Sequence, residues 1–446
     1  MKPLLRYFKW LYPGMGVKRW LILFSVGLII FVLGTILIIN IQIPVNIESA
    51  VVNSVRAITG TQIDSRVVDI ALIILGLVLM VMGIKQWFVT IYREIAPHDE
   101  RKLVDILYEK RHLAQGIKFV ALGGGTGLSS LLRGIKEHTS NITAVVTVSD
   151  DGGSSGRLRK EMGVLAPGDI RNCLVALAND ESQLSSLFQY RFTNGEGLEG
   201  HNFGNLLLVA LNNIAGDFEK AVRLSSDILA IRGRVFPATL EPVVLCAEYE
   251  DGSIAEGESN IPKHRKKIKR IFFHPSSCKP PTDVIQAIKD ADAIILGPGS
   301  LYTSIIPTLI VEGIRDAITA SSAIKIYVCN IMTQPGETDH FTASDHVKNL
   351  LMTTGIPKPD YVIVNQEMPE KLIKTYQAEG AFPVLCDLEK IRAMDIIPVS
   401  APLISEQESV VRHDPKKLAA QIIRIVLEVA PRQAEIAGRG PTPTFG

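Results

Sequence analysis

The stretch FVALGGGTGLSSLLRGI, residues 119–135, decides the fold. Its apolar start, glycine run and periodic apolar end predict a buried strand, a tight turn and a helix that begins at Leu128. Glycines let the backbone approach a ligand without an intervening Cβ, and the free N–H groups at a helix start attract anions. We therefore predict a phosphate-binding loop made of Gly123, Gly124, Gly125, Thr126 and Gly127.

Two known phosphate motifs do not fit this loop. No Lys-Ser or Lys-Thr pair follows at the spacing of a P-loop, and Leu128 stands where a dinucleotide fingerprint has its third glycine. The alternative interpretation is a tight strand-to-helix turn that binds nothing.

A second informative stretch is TVSDDGGSSGRLR, residues 147–159, where a strand ends in two carboxylates. Asp150 and Asp151 can chelate magnesium, hold a ribose or cap the following turn. Asp169, in the sequence APGDIRN, adds a third acid, although as the N-cap of a helix it also has a local explanation. Three acids near one phosphate site suit a hard divalent cation.

From Ile117 onward, short apolar runs alternate with helical patterns, which predicts an α/β fold with a mostly parallel sheet and helices on both faces. The predicted strands are Lys118–Leu122, Ala144–Val148, Val243–Ala247, Ala293–Leu296, Lys325–Cys329 and Tyr361–Val364. The predicted helices are Leu128–Glu137, Asp169–Asn179, Phe203–Ile214, Thr282–Ala291, Thr308–Ala320, Ala343–Met352 and Lys416–Val429. Residues 250–270 are predicted to form a polar hairpin or excursion, and their basic cluster, His264–Arg270, favours a solvated face.

Three more polar loops follow predicted strands or begin a predicted helix. They are GPGSLYTS at 297–304, NIMTQPGETDH at 330–340 after the strand residue Cys329, and GHNFGN at 200–205. Loops at the carboxyl ends of parallel strands normally share one cleft, so we predict a single ligand site. Its candidate residues beyond the first loop are Asp150, Asp151, Arg157, Arg171, Asn172, His201, Asn205, Gly297, Pro298, Gly299, Ser300, Thr303, Asn330, Thr333 and Gln334. No Ser-His-Asp order, HExxH motif or nucleophile elbow is present in the sequence.

The amino-terminal segment predicts a membrane anchor, residues 1–92. Its two apolar stretches, 21–43 and 67–84, are about as long as a bilayer span, roughly 20 residues. Lys and Arg are frequent before the first stretch and after the second, so the positive-inside rule places both ends in the cytoplasm. Residues 93–116 then form a juxtamembrane connector, residues 117–430 the ligand-binding domain and residues 431–446 a disordered tail.

The composition excludes some classes of protein. The 446 residues carry 47 basic and 46 acidic side chains, so the basic stripe of a general nucleic-acid binder is not expected. The 5 cysteines show no CxxC spacing, which favours buried free thiols in a reducing cytosol over a zinc site.

Six motifs in order resemble the gluconeogenesis factor family (YvcK-like, UPF0052), within the 2-phospho-L-lactate transferase (CofD-like) superfamily. They are GGGTGLSSLLRGIK, TVSDDGGSSGRLRKEMG, APGDIRNCLVALA, GHNFGN, ADAIILGPGSLYTSIIP and NIMTQPGET. The resemblance covers about residues 117–430, and the two predicted spans resemble the membrane-tethered versions of the family. It implies a Rossmann-like cytosolic domain, a homodimer, and binding of UDP-sugars, notably UDP-N-acetylglucosamine. It also implies a role in cell shape, cell-wall precursor supply and growth on gluconeogenic carbon sources.

The transferase relatives move a phosphoryl-lactyl group with the help of magnesium, and Asp151 and Asp169 match their metal-binding positions. The chain departs from their pattern at Gly168–Asn172, which puts the metal and the transfer chemistry in doubt. The segments KTYQAEGAFPV and VVRHDPKKLA also resemble the family. Tyr376 would stack on a uracil ring and Arg412 would pair with a diphosphate.

Three functions follow from this sequence. The first is a membrane-anchored, non-enzymatic UDP-sugar sensor that regulates envelope synthesis, with cell-wall synthesis proteins as partners. The second is a magnesium-dependent phosphoryl-group transferase. The third and weakest is an NAD(P)-binding reductase, for which the third glycine of the dinucleotide fingerprint is missing.

Overall fold

Two long apolar helices form the first unit of the computed structural model, which describes residues 18–39, 65–95, 111–179, 183–368, 372–405 and 410–436. They are α1, Lys18–Ile38, and α2, Ser65–Ile95. Both are long and apolar enough to cross a membrane. Helix α2 continues beyond the predicted end of the second span at residue 84, and residues 40–43 of the first predicted span lie outside the described residues. The cytoplasmic orientation of the two ends stays a prediction.

Helices α1 and α2 pack closely and antiparallel because glycines lie at their contact. A Cβ on Gly76 would lie 2.5 Å from the backbone nitrogen of Phe31. A Cβ on Gly34 would lie 2.9 Å from the side chain of Ile73. Small residues that allow such backbone approach are typical of helix pairs in membranes.

The central strand of the second unit, residues 109–446, comes from the stretch that opens the sequence analysis. Strand β1, Phe119–Gly123, is buried at every position. It pairs in parallel with β2, Ile142–Val146, on one side and with β7, Ala293–Leu296, on the other. A strand that is apolar at every position is typical of a parallel sheet covered on both faces.

The full sheet has seven parallel strands in the order β10-β9-β8-β7-β1-β2-β3. Its other members are β3, Arg234–Pro237; β8, Ile324–Val328; β9, Tyr361–Asn365; and β10, Ile397–Ala401. The chain builds outward from β1 to β3, returns to β7 beside β1 and builds outward again to β10. The order therefore reverses between β1 and β7, and ligands of open α/β sheets bind at such a reversal.

Helices cover both faces, as the sequence predicts. Val120 and Leu122 of β1 face one apolar core, whereas Phe119 and Ala121 face the other. The core on the side of Phe119 and Ala121 contains α3, Gly125–Ile135; α5, Gly168–Leu177; α6, Gln183–Gln189; α7, Phe203–Ala215; α8, Phe218–Leu229; and α15, Pro415–Ile436. The core on the side of Val120 and Leu122 contains α9, Thr282–Lys289; α10, Ile306–Leu309; α11, Ile314–Ala320; α12, Ala343–Thr354; and α14, Leu388–Arg392. Two further α-helices are α4, Gly153–Met162, and α13, Ile373–Glu379, and a π-helical turn, Leu301–Ile305, precedes α10.

A small antiparallel sheet is inserted between β3 and β7. It contains β4, Val244–Tyr249; β5, Ile254–Glu256; and β6, Ile268–His274, in the order β5-β4-β6. The predicted strand Val243–Ala247 exists but belongs to this sheet, so its assignment to the parallel sheet is wrong. The polar excursion at 250–270 is confirmed as a hairpin followed by a short 3₁₀ turn. Acids neutralise much of its basic cluster: Lys266 pairs with Asp251, Lys267 with Glu250, and Arg270 with Glu248.

Several predicted boundaries differ from the observed ones. Helix α3 begins at Gly125 rather than at Leu128. The predicted helix Thr308–Ala320 is divided into α10, which ends at Leu309, and α11, which begins after Gly313 with its φ of +85°. Helix α15 continues to Ile436, into the predicted tail, and residues 437–446 lie outside the described residues. The five cysteines are free, as predicted.

Candidate functional site

A cavity of about 490 Å³ lies at the carboxyl ends of β1, β2, β7 and β8, beside the reversal of strand order. Its volume falls within the range of small-molecule sites, about 300–1,000 Å³. The predicted residues that line it are Gly124, Gly125, Thr126, Gly127, Asp150, Asp169, Pro298, Gly299, Ser300, Asn330, Thr333, Gln334, Tyr376 and Arg412. Ser304, in the predicted polar loop at 297–304, also lines it, and the sequence analysis missed nine others: Ser130, Glu258, Ile331, Met332, Pro335, Glu379, Ala381, Val411 and His413.

The glycine loops after β1 and β7 touch each other in the cavity wall. Gly125 has a φ of +64°, a conformation that side chains disfavour, and begins α3 there. A Cβ on Gly127 would lie only 2.6 Å from the carbonyl oxygen of Pro298. The glycine at 127 is therefore required for the close approach of the two loops.

Three carboxyl groups from separate segments line one part of the cavity. Asp150 Oδ1 accepts a hydrogen bond from the Gly152 N–H at 2.9 Å, and Glu258 Oε2 accepts one from Ser149 Oγ at 3.0 Å. The Asp169 carboxyl group faces the Gly125 N–H, at the start of α3. Burial, reinforced by the Asp150 carboxylate, raises the pKa of Asp169 to about 7. Burial, together with Asp169 and Asp150, raises the pKa of Glu258 well above its ordinary value.

The two predicted metal ligands, Asp151 and Asp169, do not both line the cavity. Asp151 lies outside the cavity lining, and its Oδ1 accepts a hydrogen bond from the Ser259 N–H at 2.8 Å. Asp169 lines the cavity without it. Within the described ranges, no group of three or more His, Cys, Asp or Glu side chains is arranged so that it could hold a metal ion. Magnesium binding stays a prediction.

The cavity also has an apolar side. Ile331, Met332 and Ile404 form a small buried cluster against which Tyr376 and Val411 pack. The hydroxyl of Tyr376 accepts a hydrogen bond from the Val411 N–H at 3.1 Å, which fixes the ring in the wall. A fixed aromatic ring beside aliphatic side chains suits a planar base.

One arginine and a chain of amides complete the wall. Arg412 is the single Lys or Arg among the described residues that line the cavity. Asn330 Nδ2 donates to Gln334 Oε1 at 3.3 Å, and Gln334 Nε2 donates to Ser300 Oγ, which links the loops after β7 and β8. These groups can exchange hydrogen bonds with a polar ligand without the cost of burying a further charge.

Five predicted ligand residues instead form a network outside the cavity lining. Ser154 Oγ lies 3.1 Å from His201 Nδ1 and accepts from Asn205 Nδ2 at 3.2 Å. The network joins α4, α5 and the start of α7. It contains Arg157, which donates to the Glu199 carbonyl, and Arg171, which donates to Asn205 and Asn172. A structural role explains these contacts, and burial lowers the pKa of His201.

Three more predicted residues lie just behind the lining. Gly123 and Gly297 are the residues that precede the two lining loops. Thr303 Oγ1 donates a long hydrogen bond, 3.4 Å, to the Glu337 carboxylate. Burial raises the pKa of Glu337 to about 7.

Comparison with known proteins agrees with the fold. The family model of 2-phospho-L-lactate transferase CofD matches residues 119–404. The gluconeogenesis factor of Bacillus subtilis is 47% identical over 317 residues, which are 71% of this chain and 100% of that protein. A crystal structure of a UPF0052 family member from Bacillus halodurans superposes with a TM-score of 0.67 at 48% identity, and it covers 69% of this chain and 99% of that chain.

Another relative shares the amino-terminal region. A gluconeogenesis factor homologue from Nostoc sp. is 45% identical over 423 residues, which are 94% of this chain and 92% of the relative. Its match therefore extends into the segment that contains α1 and α2. The chain belongs to the gluconeogenesis factor family, whose members here share the CofD-like fold.

Proposed function

We propose that this member of the gluconeogenesis factor family binds a UDP-sugar in the cavity and acts as a regulatory protein rather than as an enzyme. UDP-N-acetylglucosamine is the ligand that we propose first. The observation that carries the proposal is a single cavity that combines two glycine loops, an apolar aromatic side and one arginine. These are the partners that a phosphate ester of a nucleoside requires.

The placement of the ligand follows from charge. The Asp169 carboxyl group faces the Gly125 N–H at the start of α3, and Asp150 and Glu258 line the same cavity. A diphosphate there would be repelled by every carboxyl group that is ionised. We therefore propose that the diphosphate lies against Arg412 and the loop at 298–300. The sugar hydroxyl groups then donate to the carboxylates, and the uracil lies on Tyr376.

The regulatory part of the proposal is the change that ligand binding causes in the protein. A ligand shifts a protein between two states only if it binds one of them more tightly. We propose that the UDP-sugar favours one form of a homodimer and so changes its affinity for cell-wall synthesis proteins. This would couple precursor supply to cell shape and to growth on gluconeogenic carbon sources.

We also propose that α1 and α2 anchor the protein in the bacterial cytoplasmic membrane with both ends inside the cell. Their length and apolar composition, and the closeness of their packing, support this. An anchor would hold the ligand-binding domain close to membrane-bound enzymes of envelope synthesis.

A phosphoryl-group transferase is the second candidate. The match of residues 119–404 to the CofD family model favours it, and so do the acids Asp150, Asp169 and Glu258 in the cavity. Asp151, one of the two predicted metal ligands, lies outside the cavity lining, and for that reason we place this candidate second.

Calorimetry separates the two candidates. The full chain in detergent is titrated with UDP-N-acetylglucosamine with and without magnesium, and the mixture is analysed for products. The proposal predicts saturable binding without product, and at least tenfold weaker binding by Arg412→Ala, because a hydrogen-bonded charge pair contributes about 1.5–3 kcal/mol. Arg424→Ala is the matched control, since Arg424 is 70% exposed on α15 and pairs with Glu428. Product formation would favour the transferase.

A further inference from the structure

His413 occupies an unusual position in the wall of the cavity. The residue lines the cavity and yet is only 6% exposed. Its ring faces the backbone carbonyl of Cys329, the residue that follows β8. The other ring nitrogen, Nε2, is buried and has no hydrogen-bond partner in the part of the chain that the structure describes.

These contacts define the protonation state of the imidazole. The nitrogen that faces a carbonyl must carry the proton, so Nε2 presents a lone pair. Burial lowers the pKa of His413 to about 4, and the ring is therefore neutral at physiological pH. The cavity wall thus contains a hydrogen-bond acceptor of fixed position whose partner is missing, and a buried polar atom of this kind is costly to leave unpaired.

The surroundings of His413 favour a base as the source of the missing donor. Val411 and Tyr376 belong to the apolar side of the cavity. Val411 lies two residues before His413 in the sequence, and its N–H donates a hydrogen bond to the Tyr376 hydroxyl. Uracil carries an N–H at ring position 3 and guanine carries one at ring position 1, whereas cytosine and adenine carry a bare nitrogen at the equivalent position. A lone pair on the protein attracts the first two and repels the second two.

We propose that His413 is the residue that reads the base, with its Nε2 accepting the N3–H of uracil. The inference rests on the proposed function, because it assigns one contact within the same site. Nε2 is buried in the structure, so this contact requires the surrounding wall side chains to shift when the base binds.

A comparison of UDP binding with CDP binding isolates this contact. The two ligands share ribose and diphosphate, and their bases differ only at ring position 3 and at the neighbouring position 4. The full chain in detergent is titrated with each by calorimetry. We expect the wild-type protein to bind UDP at least tenfold more tightly than CDP. We expect His413→Phe to weaken UDP binding at least tenfold and to change CDP binding less than threefold.

A second variant gives a readout that a structural role would not produce. The amide of His413→Gln can donate as well as accept, so this variant should retain UDP binding and gain CDP binding. His346→Phe is the matched control, since His346 is also buried with an unpartnered Nε2 but does not line the cavity. It should leave both affinities unchanged.

The outcomes separate the inference from the proposed function. Equal binding of UDP and CDP by the wild type, or equal loss of both in His413→Phe, would overturn base reading while leaving nucleotide binding intact. Equal loss would instead indicate a ribose hydroxyl as the donor. If His413→Phe does not fold, a failure of His413→Gln to gain CDP binding overturns the inference. Absence of binding to either ligand by the wild type would overturn the proposed function as well.

Discussion

Replacement of Gly127 by alanine tests whether the two glycine loops must touch for the site to exist. The new Cβ would lie 2.6 Å from the carbonyl oxygen of Pro298 and 3.1 Å from the backbone nitrogen of Gly299. Because non-bonded heavy atoms rest at about 3.5 Å, the loops must separate by roughly 0.9 Å. Both contacts are to backbone atoms, so no side chain can rotate away to relieve them.

The magnitudes predict a larger effect on binding than on folding. Overpacking costs about 1–3 kcal/mol, but alanine is favoured over glycine within a helix by about 0.8–1.0 kcal/mol. The net loss of stability is therefore about 0–2 kcal/mol. When the loop at 298–300 is displaced, a diphosphate bound to it loses at least one hydrogen bond to a charged group, about 1.5–3 kcal/mol, which corresponds to roughly tenfold to hundredfold weaker binding.

The assay pairs calorimetry of UDP-N-acetylglucosamine binding with thermal unfolding of the same preparation. Gly116→Ala is the control, because its Cβ would lie 2.8 Å from Thr139 Oγ1, before β1 and away from the cavity. It should lower the unfolding temperature without weakening binding. Wild-type affinity in a folded Gly127→Ala protein, or equal loss of affinity in both variants, would refute the reasoning.

Three further predictions follow from the structure. Because burial and Asp150 raise the pKa of Asp169 to about 7, above the roughly 3.9 of the unfolded chain, its stabilising contribution is complete below about pH 4 and is lost as the pH rises through 7. Asp169→Asn should therefore raise the unfolding temperature more at pH 8 than at pH 5, and parallel curves for the two proteins would contradict this. Tyr376→Ala should weaken UDP binding roughly tenfold by loss of base stacking, whereas Tyr376→Phe keeps the ring and should retain most of the affinity in the same titration. Gly76→Leu should lower the thermal stability of the full chain in detergent, because the side chain meets the backbone of Phe31, while Leu77→Ala, at a position 51% exposed, should have little effect.

The parts of the fold that the sequence predicts are those with a local cause. The β1 run and its glycine turn are consecutive, so strand, turn and helix can be recognised without knowledge of the rest of the chain. Strands β3 and β10 are short and contain Pro237 and Pro398, which weaken the local strand pattern. Helix α4 begins with GSSG, a composition typical of a loop, and its helical state depends on tertiary contacts.

The site residues that the sequence predicts are likewise those with a local cause. The glycine loops and the polar loops after β7 and β8 were predicted because each follows a recognisable strand, and parallel strands bring their ends together. Neighbouring acids cannot be distinguished by sequence, and the structure places Asp150 in the cavity and turns Asp151 toward Ser259. Glu258 lies in the inserted segment that forms the antiparallel sheet. The sequence could not show that this segment folds back to the cavity, because that depends on contacts between residues far apart in the chain. His413 directly follows Arg412, and the same segment could have revealed it.

Titration of the full chain with UDP-N-acetylglucosamine, with Arg412→Ala beside the wild type, tests the central claim most directly. The account predicts saturable binding by the wild type, at least tenfold weaker binding by the variant, and recovery of the ligand unchanged with or without magnesium. Absence of binding, equal binding by both proteins, or magnesium-dependent formation of a product would contradict it.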